Sequence, residues 1–169
     1  MSRRRSSGRG FRVSRDFVRD NPGADPTATE LILNLLVTAA LLEGKLERIL
    51  REHTLTVGSF NALEVTAGDP EPLTPSEVAR RMTIPVTTAT MTGILDTLER
   101  NGYVERRRHP TDRRRVHLHL TAEGRRVRDE VVPSVFQQHE TWTAPLTKAE
   151  RVELTDGLAR LSDHLRESG

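Results

Sequence analysis

Apolar side chains recur at Leu31, Leu35, Leu42, Leu46, Ile49 and Leu50, with Glu43, Lys45, Glu47 and Arg48 set between them. That is the spacing of one helical face, and it predicts a long amphipathic helix over about 27–52, entered from the turn-rich stretch Asn21 to Pro26. Thr56 stands where it can cap a second helix carrying Phe60, Leu63 and Ala67 on one side, and Gly68-Asp69-Pro70 ends it. The clearest local signal follows at Thr74-Pro75-Ser76-Glu77. Thr74 is the N-cap, Pro75 occupies the first helical position, Glu77 reaches back in a capping box, and Leu73 with Val78 forms the hydrophobic staple. This helix ends near Met82. After the turn Thr83-Ile84-Pro85 another begins, with Met91, Ile94, Leu95 and Leu98 on one stripe and Gly102 beyond its end.

The period then changes. Tyr103 to Arg106 reads as a strand and Arg115 to Leu120 as a second with alternating faces, separated by the turn-like His109-Pro110-Thr111-Asp112. Thr121 caps a further helix bearing Val127, Val131 and Val135, with Pro133 as a point where it can kink. Thr147 to Glu150 forms a second capping box before Leu154, Leu158, Leu161 and Leu165. The predicted order is four helices, a hairpin and two helices. This is a mainly α fold with a small β-hairpin wing, a winged helix-turn-helix over about 54–121. Residues 1–20, rich in Arg, Ser and Gly, read as a flexible basic arm, although Phe11, Phe17 and Val18 offer apolar groups to dock it. Residues 21–169 read as a single domain, in line with the length of the chain.

Composition changes this picture in two ways. The net charge is only +2, but lysine occurs just at 45 and 148, so 24 of the 26 basic residues are arginine, and they fall in blocks. Where charge sits is therefore more informative than its total. Cysteine is absent, which excludes disulfides, thiol-based sensing and cysteine-held zinc. The apolar run Leu31 to Leu42 is broken by Asn34 and followed by Glu43 and Lys45, too short and too polar for a membrane span. No apolar signal core follows the first arginines, so the cytoplasm is the expected location.

A DNA duplex carries one phosphate charge per roughly 1.7 Å of axis, so its partner needs clustered cations. From Arg106 to Arg115 there are six arginines (Arg106, Arg107, Arg108, Arg113, Arg114 and Arg115) against the single acid Asp112. They lie on a hairpin thin enough to enter a minor groove. Like charges at this density repel one another unless an anionic partner relieves them. The helix after the turn opens with Thr87, Thr88, Ala89, Thr90, Thr92 and Gly93, small side chains suited to close approach to base edges, while capping and packing are the competing use, most of all for Thr90. Thr74 and Ser76 stand at the start of the first helix of the motif.

In combination, the stretch from Leu73 to Gly124 resembles the multiple-antibiotic-resistance-regulator (MarR) family. Leu73 to Ala79 is similar to the family's first motif helix. Thr90-Met91-Thr92 and Leu95 to Arg106 are similar to its recognition helix running into the wing, and His109 to Arg114 with Leu120-Thr121 and Gly124 to its wing and the entry to the next helix. The resemblance implies a homodimer held by helices at about 27–52 and 122–167, with two winged lobes spaced by one turn of duplex DNA, roughly 34 Å. It also implies that Asp112 braces Arg114 for minor-groove entry. Under it the chain is a repressor on a pseudo-palindromic operator, modulated by a small-molecule effector, with no cofactor and no membrane partner. The turn at Thr83-Ile84-Pro85 is longer than in many members, and Gly93 stands where basic or amide residues are common, so base specificity is not carried over.

Other constellations are weaker. His117 and His119 project from one face of a strand, a geometry that can ligate zinc, but no third ligand lies near in sequence, and a solvated outer face near phosphates accounts for them better. His53, His139 and His164 are scattered. No nucleophile, base and orienting group, no paired carboxylates and no glycine-rich phosphate loop occur at recognisable spacing. Phe136 and Trp142 are either core or interface aromatics or the lining of an effector cavity. Two other function classes stay open: a winged-helix module that sequesters a ligand or binds protein without productive DNA contact, and a metal-dependent hydrolase. The arm from Arg3 to Arg19 either adds phosphate contacts or is a tail without a role.

Overall fold

A computed structural model describes residues 10–108, 112 and 115–168. The single domain read from the sequence divides at Val57–Gly58 into two compact units.

In the first unit, α1 (Arg15–Asp20) and α2 (Pro26–Arg51) follow one another. The Asp25 carboxylate caps α2, accepting from the Thr27 backbone and hydroxyl at 2.8 and 2.7 Å, and Pro26 takes the first helical position, where its missing N–H is not needed. Within the stretch read as an arm, residues 10–20 include α1 and a segment that contacts α2. Asn34, the polar break in the apolar run, accepts from Phe11 N at 2.6 Å and donates to Phe11 O at 2.9 Å. Glu30, one turn earlier, accepts from Arg12 Nη1 at 2.6 Å and Val13 N at 3.0 Å. The Arg12 hydrogen bond, seconded by Val13 N, holds the Glu30 carboxyl below its ordinary value. Residues 1–9 lie outside the described residues. Over its full 26 residues α2 is long and apolar enough to cross a membrane by length and composition alone, a test that the core helix of a soluble protein meets as well.

The second unit holds α3 (Val57–Gly68, its first residue at the division), α4 (Pro75–Arg81), α5 (Thr88–Arg100), β1 (Val104–Arg108), β2 (Val116–Leu120), α6 (Ala122–Thr143) and α7 (Lys148–Glu167). Both predicted capping boxes are present, at Thr74–Glu77 and Thr147–Glu150. The core of this unit gathers Leu63, Val78, Leu95, Leu98, Val104, Leu118 and Val131, each almost fully buried. These are the apolar positions whose helical or alternating spacing carried the sequence reading. α6 continues through Pro133 as one element.

The antiparallel hairpin pairs Val104 with Leu120, Arg106 with Leu118 and Arg108 with Val116. A third segment joins it that the sequence reading treated only as a staple. Leu73 bridges Leu118, whose N–H donates to Leu73 O at 2.8 Å. The middle of β2, opposite Arg106, is thus hydrogen-bonded to the residue that precedes the α4 cap. β1 is tied to α5 through Arg106. Its guanidinium meets Asp96 at 2.7 Å and Glu99 at 2.8 Å, and its backbone N–H donates to Glu99 Oε1 at 3.3 Å.

Two glycines have identifiable causes. Gly102 follows α5 with φ +74°, the left-handed geometry that ends a helix at little cost only for glycine. Gly124, in the first turn of α6, lies so close to Tyr103 that a Cβ would overlap the Tyr103 carbonyl oxygen and stand 2.9 Å from Leu120 Cδ1. Thr121 fastens the same junction. Its hydroxyl donates to Gly102 O at 2.6 Å and accepts from Gly124 N at 2.9 Å, and its own N–H donates to Tyr103 O at 3.1 Å.

Gly124→Ala is expected to destabilise the fold by about 1–3 kcal/mol, the usual cost of forcing a methyl into packed backbone. Gly93→Ala, where a Cβ meets nothing within 4 Å, is expected to stabilise it by about 0.5–1 kcal/mol. Urea unfolding of both variants checks the contrast, and a neutral Gly124→Ala would show that the junction relaxes freely. For the Arg106 tie, a double-mutant cycle of Arg106→Ala with Glu99→Ala is expected to give a coupling of about 0.5–1 kcal/mol that shrinks in high salt, as partly exposed pairs do. Zero coupling would mean that packing alone holds β1 on α5.

Candidate nucleic-acid interface

The helix-turn-helix begins at α4, and its N-terminus is fully engaged. Glu77 Oε2 accepts from both the Thr74 backbone and hydroxyl at 2.7 Å. These bonds, the backbone one foremost, hold the Glu77 carboxyl below its ordinary value. Thr74 is therefore occupied as a cap, while Ser76 beside it is exposed. In the turn, Asn61 Oδ1 accepts from Thr83 N at 3.0 Å, anchoring the connection to α3.

α5 starts later than the sequence suggested, at Thr88, with Thr87 as its N-cap. Thr87 Oγ1 accepts from Thr90 N at 3.2 Å, and the two hydroxyls share a hydrogen bond of 2.9 Å. Thr92 Oγ1 donates to Thr88 O at 3.1 Å. All six candidate readers, Thr87, Thr88, Ala89, Thr90, Thr92 and Gly93, are nevertheless exposed on one stretch of helix, while Met91, Leu95 and Leu98 turn inward. Capping and outward presentation prove compatible, because a cap needs the hydroxyl and leaves the methyl free.

The arginine cluster divides by partner. Arg106 belongs to the α5 tie, so its charge is spent on Asp96 and Glu99. Arg107 pairs with Glu105 two residues back on the same face of β1. Arg115 immediately precedes β2 at the loop end of the hairpin, 3.9 Å from Glu77, and its N–H donates to Asp112 O at 3.0 Å. Arg108 and Asp112 are exposed. Arg113 and Arg114, and with them the bracing expected between Asp112 and Arg114, lie outside the described residues. His117 and His119 sit opposite Arg107 and Glu105 across the hairpin. Burial, then the Arg107 charge, pushes His119 down from its ordinary value. Among the described residues no group of three or more His, Asp or Glu is gathered as a metal site.

Two recesses flank these elements. An open cleft of about 700 Å³ is lined by the loop from Asp69 to Leu73, by Glu77 and Arg81 of α4, and by Arg107, Arg108, Arg115, His117 and His119 of the hairpin. A smaller one of about 310 Å³ lies between α4 and α5 against Arg106. Sequence reasoning missed Arg81, which pairs with Asp69 at the mouth of the first cleft, and the carboxylates Asp96 and Glu99. Both assignments depend on contacts that no local pattern encodes. On α6, Phe136, His139 and Trp142 form a row with ring centroids 6.1 and 5.8 Å apart. The row leaves Phe136 exposed and Trp142 half-buried.

Comparison with known proteins agrees with this arrangement. The family model described as MarR family matches residues 53–115, the stretch that contains α4, α5 and most of the wing. The HTH-type transcriptional repressor YetL of Bacillus subtilis (strain 168) is 34% identical over 116 residues, 68% of this chain and 68% of that protein. The transcriptional repressor MprA of Escherichia coli (strain K12) is 30% identical over 163 residues, 94% of this chain and 89% of that one. Among solved structures, the S. aureus MepR–DNA complex superposes with a TM-score of 0.70 at 19% identity, over 78% of this chain and 94% of that one, a likeness of fold. With a matching family model over the winged motif and a transcriptional repressor aligned along nearly the whole chain, the protein belongs to the MarR family of helix-turn-helix transcriptional regulators.

Proposed function

We propose that the protein is a homodimeric repressor that binds a pseudo-palindromic duplex operator in the cytoplasm and is modulated by a small-molecule effector, acting by binding and not by catalysis. The observation that carries this reading is the joining of an exposed, small-side-chain helix face to an arginine-bearing hairpin through Arg106, Asp96 and Glu99. Such a pair presents one surface to base edges and another to phosphates, with their relative positions fixed before contact.

Dimerisation is supported by apolar side chains that the chain leaves uncovered. On α2 these include Leu31, Leu36, Val37 and Leu41, each more than half exposed; on the C-terminal helices they include Phe136, Val152, Leu154 and Leu165. Exposed apolar area of this extent calls for a covering surface, and a symmetric copy supplies one. The same requirement accounts for the hydropathy of α2 without a membrane. The effector follows from the resemblance to the family, and we assign it no residues.

The test is binding of a fluorescent duplex from the upstream region of the protein's own gene across a salt series, comparing the wild type with Arg108→Ala and Arg114→Ala. The wild type is expected to bind with a steep salt dependence. Each substitution that removes a phosphate contact is expected to lower the slope of log K against log salt by about one. Unchanged affinity and slope in both variants would remove the hairpin from the interface. No preference over random DNA, even among duplexes selected from a random pool, would overturn the regulator reading in favour of a ligand- or protein-binding module.

A further inference from the structure

Specific readers in the major groove usually carry long polar side chains: arginine or lysine for guanine, asparagine or glutamine for adenine. From Thr87 to Leu95 this chain has none of the four. The first charged side chain further along α5, Asp96, is held by Arg106 at 2.7 Å. Two of the four threonine hydroxyl protons are committed within the helix as well. Thr92 donates to Thr88 O, and Thr87 and Thr90 share one hydrogen bond between them. Thr88, Ala89 and Thr92 are exposed, and each carries a methyl group.

Gly93 adds an independent observation. It lies inside α5 at an ordinary helical φ, where a Cβ would meet nothing within 4 Å. Glycine in a helix interior is unfavourable relative to alanine, so neither backbone geometry nor packing within the chain accounts for it. Missing side-chain bulk at an exposed position between Thr92 and Ile94 does permit a closer approach from outside.

We propose that α5 recognises its operator through thymine 5-methyl groups, with Thr88, Ala89 and Thr92 as the contacting residues and Gly93 setting the distance of approach. The proposal deepens the DNA-binding reading above and rests on it. Threonine and alanine methyls pack against the thymine methyl without a hydrogen bond, so the recognised half-site is marked by thymines in the groove facing α5. Thr88, whose hydroxyl has no partner among the described residues, decides between methyl and hydroxyl readout.

The test uses the full chain and a duplex selected from a random pool. Each thymine of the duplex is replaced in turn by deoxyuridine, which removes the methyl and leaves base pairing intact. At least one position per half-site is expected to lose affinity by about threefold or more, the worth of one buried methyl. Thr88→Val and Thr92→Val, which keep the methyl, are expected to preserve the ratio of thymine to uracil affinity; Thr88→Ser and Thr92→Ser, which keep only the hydroxyl, are expected to reduce it toward one. Indifference to uracil at every position, or a ratio kept by Ser and lost by Val, would overturn the proposal while leaving the regulator reading intact. A chain that selects no duplex would overturn both.

Discussion

The structure of the second unit turns on a contact with no side chain in it, the approach of the first turn of α6 to the backbone of Tyr103. Gly124 makes room for the Tyr103 carbonyl, and Thr121 converts the proximity into three hydrogen bonds that gather the end of α5, the start of β1 and the start of α6. A helix N-terminus has unsatisfied N–H groups and a helix C-terminus unsatisfied carbonyls. Here one threonine caps the N-terminus of α6 and holds the backbone just beyond α5, across a gap closed by a glycine. The helix α5, the hairpin and the long α6 consequently begin or end within a few residues of one point.

Electrostatics then distributes tasks along the hairpin. Six arginines of equal formal charge are not six equal groups. Arg106 is neutralised by two carboxylates of α5 and works as a strut, and Arg107 is tempered by Glu105. Arg115 lies too far from Glu77, at 3.9 Å, for a strong pair. Exposed ion pairs add little net stability, so the value of the Arg106 arrangement is geometric. It uses the planar fork of the guanidinium, which makes two bonds in fixed directions, and a backbone amide that repeats the link to Glu99.

Much of this was legible in the sequence because it is local. Thr74-Pro75-Ser76-Glu77 and Thr147 to Glu150 specify helix starts by chemistry confined to four residues. The stripes Met91, Leu95, Leu98 and Val127, Val131, Val135 specify which helix faces turn inward. What escaped was non-local or dual in use. Asn34 reads as a flaw in an apolar run, yet its amide pairs with both backbone groups of Phe11, so α1 and the strap before it are ordered where composition suggested a loose arm. Thr87 and Thr90 read as base contacts or as caps, and the structure uses their hydroxyls for capping while leaving them exposed. Arg106 reads as one more wing cation because nothing in its neighbourhood shows that Asp96 and Glu99 come to face it. The division at Val57–Gly58 falls inside what pattern alone treated as one domain.

The bridge from Leu73 to Leu118 has a mechanical meaning. A two-stranded hairpin is marginally stable by itself, and this one is hydrogen-bonded at the middle of β2 to the residue before the α4 cap and clamped at the middle of β1 to α5 by Arg106. A load applied to the arginines is therefore borne on both strands at one register position, by the segment leading into α4 and by α5. The hairpin is a lever with a fixed fulcrum rather than a tether, and a displacement of either helix must swing it.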